Sequence, residues 1–516
     1  MLCCLSAVAQ EAYAVYTEDN TTLTFYCDNQ RSTRAGTAFD LNTGTSEPGW
    51  DVYSIYSTLT RVVFDPSFAA ARPTTTRSWF VSLRHLASIE GFNYLNTSEV
   101  TDMRSMFEKC KLMTSLDLSH FNTAKVTNME YMFCDCTGLT SLDLRNFNTS
   151  SLTDMKGMFY GCTNLMSVNL SSFNTEKVTT LRSMFYDCGK LTSIDLSNFN
   201  TASLTDTYCM FNGCSGLTSL DLSNFNTTQV TTMRNMFNGC SELTSLNLSS
   251  FNTAMVSDMD NMFKECSKLT SLNLSSFNTA NATSMNHMFA DCSSLTSLDL
   301  SNFSTGKVSD MNYMFSGCSG LTSLDLSSFN TEKVTTMNYM FSGCSKLATV
   351  NLSSFVTSKL HEVNYMFKGC SALTVLDLST FNTYKVYETK YMFQDCNKLT
   401  TIKAGYGWTT MAVTSSKGMF SNCTSLKGDK GTAYDASQID ATLARIDGGA
   451  ANPGYLTDAR VHGDVNGDGN ADVSDVAALI DNLLNGNYVT AGADVNEDDC
   501  VDVSDVAALI GQLLTK

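Results

Sequence analysis

Leu139-Thr-Ser-Leu142-Asp-Leu144-Arg-Asn-Phe147-Asn-Thr-Ser-Ser-Leu152-Thr-Asp-Met155-Lys-Gly-Met158-Phe159-Tyr-Gly-Cys162 is one copy of the unit that decides the fold. Its Met-Phe pair, followed three residues later by Cys, recurs with Phe at 107, 133, 159, 185, 211, 237, 263, 289, 315, 341, 367, 393 and 420, at eleven successive spacings of 26 residues and a last one of 27. A fixed period of this length marks a repeat architecture. A single unit cannot bury its own apolar face, so copies must stack on one another and the ends must be capped. Leu139, Leu142 and Leu144 alternate with Ser141, Asp143 and Arg145, which predicts a short strand with a polar outer side. Leu152, Met155, Met158 and Phe159 recur at three-to-four spacing, which predicts one or two turns of helix on the return path. Thr127 with Glu130 reads as a capping pair for such a helix. Gly161, Gly213, Gly239, Gly317, Gly343 and Gly369 fall where it must stop, a position that favours left-handed backbone, although other units place Asp or Lys there. The expected fold class is a solenoid of short parallel strands plus short helices, about thirteen 26-residue repeats.

The Met and Phe rows read as core ladders rather than a cofactor box. The thirteen periodic cysteines would stack in register, and parallel side chains in adjacent turns make poor disulfide geometry. Buried free thiols are expected, with adjacent-turn bridges as the alternative.

The chain has 516 residues, 16% of them charged, with 51 acidic and 33 basic side chains and a net charge of -18. This balance disfavours a nucleic-acid partner, which needs Lys and Arg to displace phosphate counterions. Residues 463–516 hold eleven acids and one lysine, so this segment carries -10 of the -18 and the rest of the chain only -8. Two different objects share the sequence. No run approaches the ~20 apolar residues of a membrane span, so no transmembrane segment is expected. The opening residues 1–9 read as a signal-peptide remnant ahead of a small-residue cleavage site, which implies a secreted protein. Residues 10–77 read as a β-rich N-terminal cap region, 78–426 as the solenoid, and 427–457 as a closing cap segment. His85, His120, His287, His361 and His462 are scattered, and neither zinc-type spacing nor a nucleophile or phosphate motif accompanies them, so no catalytic residues are assigned.

The middle outward position of the strand carries Asp117, Asp143, Asp195, Asp221, Asp299, Asp325 and Asp377, with Asn at the intervening copies. Carboxylates stacked one strand apart repel. The row is therefore a hydrated polar face or a shallow hydrogen-bonding groove for protein or glycan. Tyr131, Tyr313, Tyr339, Tyr365 and Tyr391 form a second stripe that covers the edge of the core.

Residues 458–516 form the second object. Asp464, Asn466, Asp468, Asn470, Asp472 and Asp475 stand at the ligand positions of a twelve-residue calcium loop with Gly469 at its turn. Asp494, Asn496, Asp498, Cys500, Asp502 and Asp505 repeat the pattern, with Asp499 in place of the glycine, so two calcium sites are expected, the second weaker. Each loop runs into an apolar helix face: Val476, Leu479, Ile480, Leu483 and Leu484, then Val506, Leu509, Ile510, Leu513 and Leu514. Little core opposes ten excess negative charges, so calcium should supply much of the folding energy.

The L-x-x-L-x-L strand, together with the wording Phe329-Asn-Thr-Glu-Lys-Val334-Thr-Thr-Met337-Asn-Tyr-Met340-Phe341-Ser-Gly-Cys344, resembles the BspA-type leucine-rich-repeat surface proteins of bacteria. Phe147, Phe173 and Phe225 stand where many leucine-rich repeats place Asn or Cys, so no asparagine ladder is expected at that position. The C-terminal module resembles a dockerin, since position 12 is Asp and Asp-Val-Ser-Asp-Val-Ala-Ala-Leu-Ile occurs twice, at 472–480 and 502–510. The dockerin resemblance implies docking to a cohesin-like module through Val473, Ser474, Val503 and Ser504, with either half able to dock. The BspA resemblance implies an exported, non-catalytic adhesion protein at a bacterial surface that binds host or bacterial protein or glycan. The dockerin alone would equally suit a subunit of an extracellular polysaccharide-degrading complex.

Overall fold

The computed structural model describes residues 10–460, 463–466, 470–485, 492–496 and 500–515; the signal-peptide reading of residues 1–9 lies outside them. The described chain divides into two compact units, Met1–Lys307 with Met314–Leu321, and Val308–Tyr313 with Thr322–Lys516.

The first unit opens with a five-stranded sheet in the order β3-β1-β2-β4-β5. Its strands are β1 (Glu11–Tyr16), β2 (Thr22–Asp28), β3 (Thr37–Asp40), β4 (Arg61–Phe64) and β5 (Ile89–Glu90), with one helical turn, α1 (Tyr53–Tyr56), between β3 and β4. Under this sheet Phe25, Trp50, Phe64, Phe68 and Trp79 pack ring against ring. The two buried indoles find partners, Trp79 Nε1 donating to Asn42 Oδ1 at 2.7 Å and Trp50 Nε1 to the Trp79 carbonyl at 2.9 Å.

The repeats follow as coils. Each strand is only three or four residues long and pairs in parallel, in register, with its counterpart 26 residues on: β6 (Ser141–Asp143) with β7 (Ser167–Asn169), β8 (Ser219–Asp221) with β9 (Ser245–Asn247). In the second unit β10 (Ser323–Asp325) pairs with β11 (Thr349–Asn351), and β12 (Val375–Leu378) with β13 (Thr401–Ala404).

The return path is not helical, which corrects the expectation for Leu152, Met155, Met158 and Phe159. It is a ladder of turns. Alternate amides are spent on the next coil: Met129, Tyr131, Phe133 and Asp135 donate to the carbonyls of Asp154, Lys156, Met158 and Tyr160 at 2.6–3.1 Å. The amides between them close local turns, Met132 to Met129, Cys134 to Tyr131 and Cys136 to Phe133. Two residues per coil, four apart, take left-handed backbone, for example Tyr131 and Asp135 (both φ 56°), or Gly157 and Gly161 (φ 57° and 69°). Left-handed residues at this interval stop an α-helix from propagating. Thr127 and Glu130 accordingly make no capping box; Asn128 Oδ1 accepts from the Glu130 amide, and the buried Glu130 carboxylate pairs with Arg104 and Lys156, each at 2.8 Å.

The ladder begins one coil before the first Met-Phe pair. Thr76, Ser78, Phe80 and Ser82 donate to Asp102, Arg104, Met106 and Glu108, with Ser78 and Ser82 left-handed. Trp79-Phe80 replaces Met-Phe and Leu83 replaces Cys there, which is why a search for the exact motif stops short of it.

Met, Phe and Cys of every coil are buried. From Phe107 to Phe315 the rings stack with centroids 5.5–5.9 Å apart. The described ladder cysteines are free thiols. Along the ladder they donate to the Phe carbonyl of the preceding coil, as Cys136 does to Phe107 at 3.0 Å and Cys370 to Phe341 at 3.2 Å. Burial pushes the thiols of Cys136, Cys162 and Cys214 well above their ordinary pKa, and that of Cys240 to about 12.

In the second unit the closing segment continues both ladders. Ile439 supplies the carbonyl for Phe420, and β14 (Leu456–Asp458) adds to β13 as the next parallel strand. Buried Asp447 holds the segment together, accepting from the amides of Lys430, Thr432, Gly449 and Gly454 and from the Thr432 hydroxyl. Burial alone would raise its pKa; these donors outweigh it and hold the carboxyl at about 2.

Candidate functional site

Two surfaces carry the residues that the sequence singles out. On the strand face, Asp117, Asp143, Asp195, Asp221, Asp299, Asp325 and Asp377 are exposed, and each lends Oδ1 to the amide two residues on, at 2.9–3.2 Å. The Asn copies do the same, as Asn169 does for Ser171 at 3.1 Å. Asp and Asn both supply this acceptor, which accounts for their interchange along the row up to Lys403. Hydrogen bonds from the following serine hold Asp117, Asp195, Asp221, Asp299 and Asp325 below the usual carboxylate range, and Arg145 does so for Asp143. The hollows along this face in the first unit are shallow and open. One of about 410 Å³ is lined by Leu116, Asp117, Asp143, Arg145 and Asn146, and one of about 340 Å³ by Gly91, Phe92, Met113, Asp117 and His120.

The second surface is the C-terminal module, where α2 (Val473–Asn485) and α3 (Val503–Leu514) follow the two acidic loops. Asp475 and Asp505 are fully buried and reach back across their loops. Asp475 accepts from the amides of Val465, Asn466 and Asp472 at 2.8–2.9 Å, and Asp505 from Val495, Asn496 and Asp502 at 2.6–3.1 Å. Asn466 and Asn496 donate to Ser474 Oγ and Ser504 Oγ at 2.7 and 2.6 Å. Asp502 caps α3 by accepting from the Ser504 amide, and Asp472 accepts equivalently from Ser474. Asp464 is buried, while Asn470 and Cys500 are exposed. Asp494, which opens the second loop, is half-buried. Asp468 and Asp498 lie outside the described residues, and among the described residues no three His, Cys, Asp or Glu side chains stand close enough to hold a metal ion. The donors brought to each loop are all oxygens, which suits a hard cation such as calcium.

The two helices do not bury the whole face that their sequences predict. Leu479 and Leu509 are fully buried, with Val465, Ala493 and Val495, and Val476, Leu483, Val506 and Leu513 pack partly against them. Ile480, Leu484, Ile510 and Leu514 point outward instead, beside Val473 and Val503, which are 77% and 78% exposed. Five apolar positions per helix exceed what a two-helix core can cover. That surplus was the available signal for the missed residues Ile480, Leu484, Ile510 and Leu514.

Coils of short parallel strands joined to a paired loop-and-helix module define a repeat-solenoid binding protein with a docking module. The family model described as "Mycoplasma protein of unknown function, DUF285" matches residues 74–190, 138–243, 210–323, 237–351 and 319–434, and the model described as "Dockerin type I domain" matches residues 462–514. The chain belongs to the DUF285, BspA-like repeat family and carries a type I dockerin. No curated protein matches it. Among solved structures it is similar to a leucine-rich repeat protein from Eubacterium ventriosum, at 16% identity over 75% of this chain and 95% of that one, TM-score 0.35. The TLR13–ssRNA13 complex matches at 14% identity over 81% and 78%, TM-score 0.22. The functional domain of InlJ from Listeria monocytogenes, which includes a cysteine ladder, matches at 15% identity over 68% and 69%, TM-score 0.12. Dockerins of this type bind calcium and imply a cohesin partner, and both modules belong to classes that typically bind rather than catalyse. Among the described residues no helix is long and apolar enough to cross a membrane.

Proposed function

We propose that this is an exported, non-catalytic adhesion protein, attached through its dockerin to a cohesin-bearing partner while its coils bind protein or glycan at the strand face. The observation that carries the reading is the duplication of the docking surface. The exposures of Val473, Ile480 and Leu484 (77%, 42% and 79%) are matched by Val503, Ile510 and Leu514 (78%, 42% and 82%), and Ser474 and Ser504 sit identically beside them. A soluble module leaves such stripes uncovered at a cost unless a partner buries them. Two equal stripes allow either half to dock.

Calcium would be held in the first loop by Asp464, Asn466, Asp468, Asp472 and Asp475 with the Asn470 carbonyl, and in the second by Asp494, Asn496, Asp498, Asp502 and Asp505 with the Cys500 carbonyl. It would neutralise the excess charge of the loops. Asp499 at the second turn makes that site the weaker one. Asp475 and Asp505 tie the loop backbones to the helix starts, which sets the angle at which Val473, Ser474, Val503 and Ser504 are presented.

The test is binding of the full chain to a panel of cohesin modules in calcium. Val473→Asp or Val503→Asp alone should leave docking near wild type, and the double variant should abolish it. Loss in either single variant would refute two equivalent faces, and no binding across the panel would refute the docking role. Screening the full chain on glycan and extracellular-matrix arrays separates adhesion from a place in a polysaccharide-degrading complex, because binding confined to plant polysaccharide would favour the complex.

A further inference from the structure

Between coils the chain repeatedly sets opposite charges against each other. Lys125 Nζ meets Glu99 Oε2 at 2.6 Å, Lys268 Nζ meets Glu242 Oε2 at 2.6 Å, and Glu130 takes both Arg104 and Lys156. The column two residues after the buried threonine of each coil shows how this is managed in the first unit. Its successive occupants are Glu99, Lys125, Ser151, Lys177, Ser203, Gln229, Met255 and Asn281, so that every lysine is either paired or separated from the next by a neutral side chain. Lys307 in the same column donates to Asn281 Oδ1 at 2.6 Å.

In the second unit the rule is broken. Lys333, Lys359 and Lys385 occupy this column in three consecutive coils, all exposed. Register is fixed three residues later by the parallel bridges Thr336–Glu362 and Glu362–Glu388, which places the lysines about one strand spacing, ~4.8 Å, apart along the coils. Among the described residues no carboxylate lies within ion-pairing distance of them. The nearest acids in sequence are Glu332, Glu362 and Glu388. Glu362 is taken by Asn338 Nδ2 and the Tyr387 hydroxyl, each at 2.8 Å, and Glu388 by Asn364 Nδ2 and Lys390. Beside the lysines stand Tyr384 and Tyr387, 68% and 38% exposed.

We propose that the Lys333–Lys359–Lys385 column with Tyr384 is a binding rail for an extended anionic glycan, one that carries about one carboxylate or sulfate per sugar. Like charges stacked at this spacing repel, and an anionic chain laid along the coils relieves the repulsion while a sugar ring packs against the exposed Tyr384 face. The charge density of the rail argues for a glycan over duplex nucleic acid. Three cations at ~4.8 Å intervals match a sparsely charged polymer, whereas duplex DNA carries a charge every ~1.7 Å. The rail is separate from the strand face and from the dockerin, so it stands or falls independently of both.

The test uses the full chain with oligogalacturonate, dextran sulfate and neutral dextran as probes. Binding of at least one anionic probe and not of dextran is expected, and the two anionic arms tell carboxylate from sulfate recognition. Affinity should fall on the order of 20-fold between about 50 and 200 mM salt, the dependence of three contacts at ~0.7 counterions each. Lys333→Ser, Lys359→Ser and Lys385→Ser together, Ser being native to this column at 151 and 203, should abolish binding and leave the fold intact, and the triple Arg variant should retain it. Undiminished binding by the triple Ser variant, equal binding of neutral dextran, duplex DNA bound as tightly as the glycans, or no binding of either anionic probe would each overturn the proposal.

Discussion

Asp187 and Gly213 occupy the same left-handed position in consecutive coils, and the pair shows how single side chains take turns along a column. A Cβ on Gly213 would lie 2.1 Å from Asp187 Oδ1 and 3.2 Å from its Cα, whereas a Cβ on Gly239 would meet only Gly213 backbone at 3.5 Å. Both glycines have φ 74°. Gly239→Ala should therefore cost only the left-handed penalty, about 1 kcal/mol, and Gly213→Ala roughly 1 kcal/mol more, regained in Asp187→Gly/Gly213→Ala; urea midpoints read both. The glycine conformation was legible in the sequence. Its dependence on the residue 26 positions earlier was not, because that contact exists only once the coils are in register. Asp447 gives the clearest pH dependence. Its carboxyl is held near 2 in the fold against an ordinary 3.8, so its stabilisation of the closing segment is full above about pH 4 and is lost as pH falls through 3.8 toward 2. Protection of the Thr432 and Gly449 amides, taken relative to their intrinsic exchange at each pH, should fall across that window, and in Asp447→Asn it should be low and nearly independent of pH there.

The return segment is the element that the sequence misstates. Met-x-x-Met-Phe has the spacing of a helix face, yet the same apolar intervals serve a ladder of turns in which alternate amides leave for the next coil. Apolar periodicity reports which side faces the core; the partner of each amide is set by backbone hand, which in many coils is carried by Tyr, Ser, Cys or Asp rather than Gly. The threonine of Phe-Asn-Thr is a second feature that the pattern hides. Thr123 Oγ1 donates to the Asn148 carbonyl at 3.0 Å and accepts from the Asn148 amide at 2.8 Å, and Thr227 repeats this with Asn252. One buried hydroxyl thereby satisfies two backbone groups of the next coil. Thr227→Val keeps the volume and strands both, so a loss of about 2–4 kcal/mol is expected from thermal or urea unfolding. The cysteine column was legible, since parallel stacked thiols suit hydrogen bonds to carbonyls better than disulfides. With burial suppressing thiolates, a thiol reagent followed by peptide mapping should label exposed Cys500 in the native protein and the ladder cysteines only after unfolding. Labelling of Cys240 or Cys266 under native conditions would contradict the packing described.

Across the whole molecule, charge and core are divided unequally. The coils bury Leu, Met, Phe and Cys in every copy, whereas the dockerin rests on two fully buried leucines, Leu479 and Leu509, with a few partners, and carries most of the net charge. Helices of 13 and 12 residues are marginal alone in water, and their burial is too small to oppose ten excess negative charges. Removing calcium should therefore unfold α2 and α3 and leave the coils standing. Addition of a chelator to the full chain should remove the helical far-ultraviolet signal and leave the near-ultraviolet signal of the stacked aromatic rings unchanged, with full recovery when calcium returns. A variant separates metal from backbone effects. In Asp475→Ala three amides, those of buried Val465 and of Asn466 and Asp472, lose their acceptor, so its first half should stay unfolded even in saturating calcium, whereas Asp472→Asn, which keeps an oxygen to cap α2, should refold at higher calcium. Retention of both helices in chelator, or simultaneous melting of coils and helices, would show that the core rather than the cation holds the module together.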